Sequence, residues 1–127
     1  MVAPFLLVLL AGVLDYGMAL RTAQSVAAAA RAGAQFASSS PANAMANASI
    51  TAAAAAAAPD VKVLTVTPYR GCQCSGGGAV DCNGSCNGSG MEIYVHVTAT
   101  ASTATIFNYS GLGFSAITSS QATMRAQ

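Results

Sequence analysis

The chain has 127 residues, of which 54% are hydrophobic and only 7% are charged, whereas about 25% are charged in an ordinary soluble domain. Five basic residues offset four acidic ones, giving a net charge of +1. This balance excludes electrostatic nucleic-acid binding, which needs a dense basic face, and it argues against a lipid-surface binder that works through a polybasic patch. It also argues against disorder, because disordered chains are polar and charged.

The N-terminal segment is long and apolar. MVAPFLLVLLAGVL contains no polar side chain, and after Asp15 the apolar stretch continues to Leu20. About twenty such residues are enough for a helix to cross a bilayer core. A removed signal peptide is the alternative, but it would carry a basic segment before its apolar core and a different sequence after cleavage. No basic residue precedes this core, so we expect a helix inserted in a membrane.

The helical pattern continues beyond the apolar stretch. Alternate steps of three and four residues connect apolar positions throughout: Leu6, Leu9, Val13, Tyr16, Leu20, Ala23, Ala27, Ala30, Ala34 and Ala37. The polar residues of the second half fall on the opposite face: Arg21, Gln24, Arg31 and Gln35. This coiled-coil-like spacing predicts one helix from about Pro4 to about Ala37, roughly 50 Å long.

A helix of this length projects beyond a bilayer, so its second half is expected to emerge with a seam of alanines. Alanine seams allow helices to approach each other closely. Two alternatives follow: the seam contacts helices of other subunits, or it packs on the small domain of its own chain.

Asp15 is the only charged residue among the first twenty. An ionised carboxylate in a bilayer or a dry helix bundle is costly unless it is paired. Candidate partners are the α-amino group of a neighbouring subunit's Met1, another subunit's Arg21, or a donor such as a neighbouring Tyr16. The alternative is a hydrated Asp15 at the headgroup boundary.

The remainder of the chain predicts an α+β fold. Pro41 breaks the first helix, and the alanines at 52–58 predict a second short helix. Alternating patterns then predict strands at 61–68, 91–107 and 113–127, the last with a bulge near Ser119 and Ser120, after a turn at 108–111. The long helix should pack on a small antiparallel sheet of about three strands. We expect a membrane and assembly helix at 1–39 and a small extracytoplasmic domain at 40–127.

All four cysteines lie in one glycine-rich segment, the cysteine loop (residues 70–90): Cys72, Cys74, Cys82 and Cys86. Their spacing lacks the C-x2-C pairs of common zinc sites and no histidine is near, so two disulfides are favoured over zinc. Of the three connectivities, a nested pairing of Cys72 with Cys86 and Cys74 with Cys82 would suit an antiparallel hairpin. Disulfides indicate an oxidising compartment outside the cytoplasm.

No catalytic or cofactor site is indicated by the remaining polar residues. His96, the only histidine, is predicted on the polar face of a strand, opposite Met91, Ile93, Val95, Val97 and Ala99. No serine has an assignable base, so a catalytic triad is not supported. Four asparagines begin N-x-S sequences, and Asn83 in the cysteine loop is the candidate glycosylation site.

Three segments together resemble one known family. APFLLVLLAGVLDYGMALRTAQSVAAAARAGAQFA resembles the N-terminal helix of TadE-like proteins, pseudopilins of tight-adherence (Flp) pilus systems. CQCSGGGAVDCNGSC is similar to that family's cysteine loop, and VHVTATASTATIF and ITSSQATMRAQ are similar to its C-terminal part. The glutamate that such proteins carry before the apolar segment has no counterpart here, so its role is transferred to no residue.

The resemblance implies a structural, non-enzymatic and cofactor-free subunit of a type IV pilus-like filament, assembled through its N-terminal helix. Its implied partners are copies of itself or related pilins, the prepilin peptidase and the pilus assembly machinery. It implies an inner-membrane stage followed by an extracellular filament on a bacterial surface. The alternative is a single-pass anchored periplasmic domain that binds pilus or secretion partners without polymerising.

Overall fold

The first helix, α1, spans Ala3–Ser38 without interruption. In the computed structural model, which describes residues 2–103 and 117–126, its 36 residues extend about 54 Å. Pro4 lies in the first turn, where its missing N–H removes no helical hydrogen bond. The predicted single helix is confirmed, with each end within one residue of the expected position.

A second, shorter helix follows the predicted break. A short 3₁₀ helix spans Asn43–Met45 and α2 spans Asn47–Ala56. The α2 helix begins at Asn47 rather than at Ala52, where the alanine run starts. Ile50 explains this difference, because its side chain is fully buried and packing extends the helix beyond the residues of highest intrinsic propensity.

Four strands form one antiparallel sheet: β1 (Leu64–Cys74), β2 (Ala79–Val80), β3 (Met91–Ser102) and β4 (Ile117–Ala126). Their order in the sheet is β2-β1-β3-β4. The predicted α+β fold is confirmed, with four strands instead of about three. The additional strand, β2, has only two residues and lies in the glycine-rich cysteine loop, where no alternating pattern marks it.

The register of the sheet corrects two details of the prediction. Strand β1 pairs with β3 continuously from Leu64↔Ala101 to Cys74↔Met91, so it extends beyond residue 68 into the cysteine loop. Strand β4 pairs with β3 without a break from residue 117 to residue 126, so the predicted bulge near Ser119 and Ser120 is wrong. The predicted turn at 108–111 and the strand positions at 104–107 and 113–116 lie outside the described residues.

The core lies between one face of the sheet and the second half of α1, and it is built mainly of small side chains. On β3, Val95, Val97 and Ala99 are fully buried and Ile93 is half-buried, as predicted, whereas Met91 at the start of the strand is exposed. The alanines that pack against them from the helices and from the end of β3 are Ala29, Ala30, Ala34, Ala37, Ala54, Ala58 and Ala101. Small side chains bring the backbone of α1 close to the sheet.

Candidate assembly surface

The first half of α1 is an apolar surface that the described part of the chain leaves largely uncovered. We call residues 3–20 the projecting segment. Its large side chains are mostly exposed, with Val8 at 74% and Leu9 at 52%. The others are Phe5, Leu6, Leu7, Leu10, Val13, Leu14, Tyr16, Met18 and Leu20. By length and composition this helix is able to cross a membrane, and an apolar surface of this extent indicates a membrane or an interface.

The seam predicted from the sequence divides into two parts in the structure. Leu6, Leu9, Val13, Tyr16 and Leu20 lie exposed on the projecting segment. The alanines of the second half are progressively covered: Ala23 and Ala27 are half-buried, and Ala30 and Ala34 are fully buried. Since Ala30 and Ala34 belong to the core of their own chain, the second alternative for the alanine seam holds at these two positions.

Asp15 differs from its neighbours on the projecting segment. Its side chain is only 7% exposed, whereas Leu14 and Tyr16 on either side are 53% and 66% exposed. A carboxylate removed from solvent needs a compensating interaction. Asp15 is thus covered by its own chain, unlike the large apolar side chains on either side of it.

The polar residues predicted on the opposite face of α1 are indeed exposed: Arg21, Gln24, Arg31 and Gln35. Arg21 is the first residue after the apolar stretch, and its Nη2 donates a hydrogen bond to Oδ2 of Asp60 at 3.0 Å. Both side chains are well exposed, so this ion pair contributes little to stability. It does hold Arg21 against the segment that follows α2, a pairing across 39 positions that no local sequence pattern reveals.

A groove lies beside α1 at the end of the apolar stretch. It has a volume of about 600 Å³ and lies between α1, residues 60–63 and the end of β3. We call it the exit groove. Its lining combines apolar, cationic and hydroxyl side chains, among them Met18, Arg21, Thr22, Ser25, Lys62 and Val63. No pattern in the sequence marks this groove, because its walls come from distant segments.

The cysteine loop is closed by two disulfides, Cys72–Cys82 and Cys74–Cys86. The predicted disulfides are present, so the four sulfur atoms that a zinc site would use as thiolates are bonded to one another in pairs. The nested connectivity is wrong. A nested pairing assumed a single chain reversal, whereas β2 returns alongside β1 and pairs Val80 with Cys72. This first return brings Cys82 to Cys72, and the chain reaches Cys74 only after a second turn.

A polar cluster on the outer face of the sheet ties the cysteine loop to β3 and β4. The carboxylate of Glu92 accepts hydrogen bonds from Oη of Tyr94 at 2.8 Å and Oγ of Ser75 at 3.0 Å. Nη1 of Arg125 lies 3.1 Å from the same carboxylate. The hydrogen bonds from Tyr94 and Ser75, together with the charge of Arg125, hold the pKa of Glu92 below its usual value. The bond to Glu92 raises the pKa of Tyr94.

The two remaining residues singled out in the sequence lie on this outer side of the domain. His96 is on the polar face of β3, and its Nδ1 lies 2.8 Å from Oγ1 of Thr123. Asn83 is exposed, and its backbone N–H donates to Oδ1 of Asp81 at 3.1 Å. Among the described residues, no group of three or more His, Cys, Asp or Glu side chains is placed to hold a metal ion.

The fold and this surface define an α+β protein whose N-terminal helix is long and apolar enough to anchor it in a membrane. The model of the TadE-like protein family matches residues 1–35, which confirms the resemblance over almost the whole of α1. No curated protein and no solved structure matches the chain significantly. Because this is a family of pilus components, the match and the helix together fit a pilus-associated, pseudopilin-like, membrane-anchored protein.

Proposed function

We propose that this protein is a structural, non-enzymatic subunit of a type IV pilus-like filament of the tight-adherence type. The observation that carries the proposal is the projecting segment, which presents large apolar side chains on a helix longer than the domain that covers it. In the membrane stage, lipid covers this surface. In the filament, the equivalent segments of neighbouring subunits replace the lipid, so each subunit buries the surface that it cannot bury alone.

The proposed assembly residues are Asp15 and seven residues of the seam: Leu6, Leu9, Val13, Tyr16, Leu20, Ala23 and Ala27. Ala30 and Ala34 support them indirectly, since they fix the second half of α1 to the sheet. The disulfide-closed domain would then face outward around a core of helices. Prepilin peptidase and the pilus assembly machinery are the proposed partners, and the bacterial inner membrane and cell surface the proposed locations.

The proposal is tested by imaging fibres from cells that carry the assembly machinery. Leu9→Arg should abolish fibres, because it places an unpaired charge between packed helices. Leu9→Ala should reduce fibre yield while leaving the protein in the membrane fraction, and Leu9→Met, which conserves volume, serves as the matched control. Normal fibre yield from Leu9→Arg contradicts the proposal.

A second candidate function is a single-pass anchored periplasmic domain that binds pilus or secretion partners without polymerising. The observation that favours it is the burial of Ala30 and Ala34 in their own chain, which leaves a shorter seam for other helices. Electron microscopy of purified protein distinguishes the two functions. A filament subunit gives regular fibres, whereas an anchored domain gives monomers that require detergent.

Within the first function, we propose that Asp15 stabilises the assembled state through a specific partner of its carboxylate. Its position supports this role, because Asp15 is the only charged residue among the first twenty and a carboxylate in a dry helix bundle must be compensated. Asp15→Asn keeps the shape and removes the charge, and it should lower the temperature at which fibres dissociate. Fibres of unchanged stability from both Asp15→Asn and Asp15→Ala would show that the charge has no role in assembly.

A further inference from the structure

The exit groove lies at the level where the apolar surface of α1 ends. Met18 is the last lining residue that belongs to the projecting segment, and Arg21, on the next turn, is the first cationic residue of the helix. If α1 crosses a bilayer as proposed above, this transition places the groove at the boundary between hydrocarbon and headgroups.

The lining of the groove has side chains suited to both parts of a phospholipid, the charged headgroup and the apolar acyl chains. Val63 is 66% exposed and Met18 is 39% exposed, so apolar side chains face outward beside the cations. Arg21 and Lys62 supply two positive charges, and Asp60 supplies one negative charge, leaving an excess of one positive charge among these lining residues. Ser25 adds a hydroxyl group. The combination of cations, hydroxyls and adjacent apolar surface suits an anionic headgroup joined to hydrocarbon.

Arg21 is paired with Asp60 beside the groove. Its hydrogen bond to Asp60 uses one N–H of the guanidinium, and a guanidinium has five N–H donors, so donors remain for a second acceptor. Lys62 is exposed, lies two positions from Asp60 and lines the same groove. Arg21 and Lys62 therefore form a pair of cations that approach the groove from two different segments.

We propose that the exit groove binds the phosphate headgroup of an anionic phospholipid, with Lys62 and Arg21 contacting the phosphate and Met18 and Val63 contacting the glycerol and upper acyl chains. This inference rests on the membrane anchoring in the proposed function. The bound lipid would fix the depth and orientation of the domain on the bilayer before assembly. Such a site reaches beyond the assembly surface, because Lys62 and Val63 lie outside α1.

The test is lipid binding by the full chain in detergent micelles, measured by native mass spectrometry with short-chain phosphatidylglycerol and phosphatidylcholine. Phosphatidylglycerol should bind more tightly than phosphatidylcholine. Lys62→Gln should weaken phosphatidylglycerol binding about fivefold, the effect of roughly one interfacial cation. The matched control is Arg31→Gln, which removes an exposed cation ten positions after Arg21, about 15 Å further along the helix, and should leave lipid binding unchanged.

Several outcomes would overturn the inference. The first is equal binding of the two lipids. The second is an equal weakening of phosphatidylglycerol binding by Lys62→Gln and Arg31→Gln. The third is displacement of phosphatidylglycerol by inorganic phosphate at the same concentration, which would indicate a free-phosphate site. Flotation with phosphatidylcholine vesicles separates this inference from the proposed function. A chain that floats but lacks headgroup preference overturns the lipid site alone, whereas a chain that does not float overturns the anchoring as well.

Discussion

The two halves of α1 continue one helix but have opposite surroundings. Residues 3–20 carry Leu, Val and Phe, and most of these side chains are exposed. Residues 21–38 carry mainly alanine on their apolar face, and Ala29, Ala30, Ala34 and Ala37 are fully buried. The half with small side chains lies close to its own sheet, while the half with large side chains extends beyond it. Side-chain size, rather than hydropathy alone, thus distinguishes the core of this domain from the surface offered to other molecules.

Substitutions in the two halves of α1 and in the regions they belong to are expected to have different effects. Substitutions in the folded domain should change the free energy of unfolding, and substitutions on the projecting segment should change assembly or insertion while leaving that free energy almost unchanged. The full chain in detergent micelles allows both regions to be compared in one preparation, with unfolding followed by denaturant titration.

The largest loss of stability is expected from removing the disulfides. Replacing all four cysteines with serine should destabilise the domain, since each native disulfide in a small domain contributes about 2–5 kcal/mol. Residues 70–90 should become more accessible to protease, with no effect on membrane insertion. Intact-mass measurement of the wild-type chain before and after reduction should show a gain of four hydrogens, as two disulfides require. Four free thiols in the unreduced chain would contradict this prediction.

A matched pair of truncations compares the two regions directly. Ile50→Ala removes a fully buried side chain and should cost about 2–5 kcal/mol in the free energy of unfolding. Leu9→Ala removes a side chain that is 52% exposed and should change that free energy by less than about 0.5 kcal/mol. Similar losses from both variants would show that the projecting segment belongs to the cooperative unit of the domain.

Two glycines of α1, one in the core and one on the projecting segment, should respond oppositely to substitution by leucine. A Cβ atom at Gly33 would lie 3.1 Å from Cγ1 of Val97 and 3.3 Å from Cβ of Ala54, so Gly33→Leu should overpack the core and cost about 1–3 kcal/mol. A Cβ atom at Gly12 would meet nothing within 4 Å. Gly12→Leu should therefore leave the domain as stable as before or slightly more stable, because leucine favours helix more than glycine does. Denaturant titration of both variants measures the change in the free energy of unfolding, which should be a loss for Gly33→Leu and zero or a small gain for Gly12→Leu.

The smallest expected effect concerns the cluster around Glu92, far from the projecting segment. The pKa of Glu92 is lowered in the folded chain. Its contribution to the free energy of unfolding is therefore present at pH values above its ordinary pKa of 4.5, and it is lost as the pH falls through the lower pKa of the folded chain. Tyr94→Phe removes the hydrogen bond that is the main cause and should move the pKa of Glu92 upward.

Glu92 is the only glutamate in the sequence, so selective ¹³C labelling gives one carboxyl resonance whose titration reports this pKa. Thr123→Val, which removes the hydroxyl beside His96 on the same face, serves as the control and should leave the titration of Glu92 unchanged. An unchanged pKa in Tyr94→Phe would show that the phenol does not stabilise the carboxylate.

Much of the fold was accessible from the sequence because its signals are local. The 3.6-residue pattern predicted α1 almost to its ends, and the alternation at Ile93, Val95, Val97 and Ala99 predicted the covered face of β3. The four clustered cysteines predicted the disulfides, although not their connectivity. These features depend on spacing along the chain, which the residues themselves specify.

Tertiary structure alone decided the features that depend on distant segments. Strand β2 forms where the cysteine loop first reverses, and the disulfide pairing depends on this reversal and on the second one that follows it. The end of β1 follows from its register with β3. Likewise, an alanine seam fits another helix or a sheet equally well, and only the position of the sheet shows that Ala30 and Ala34 are covered by their own chain. The exit groove requires Arg21 and Lys62 to line one cavity, and no periodic pattern in the sequence marks such a placement of distant residues.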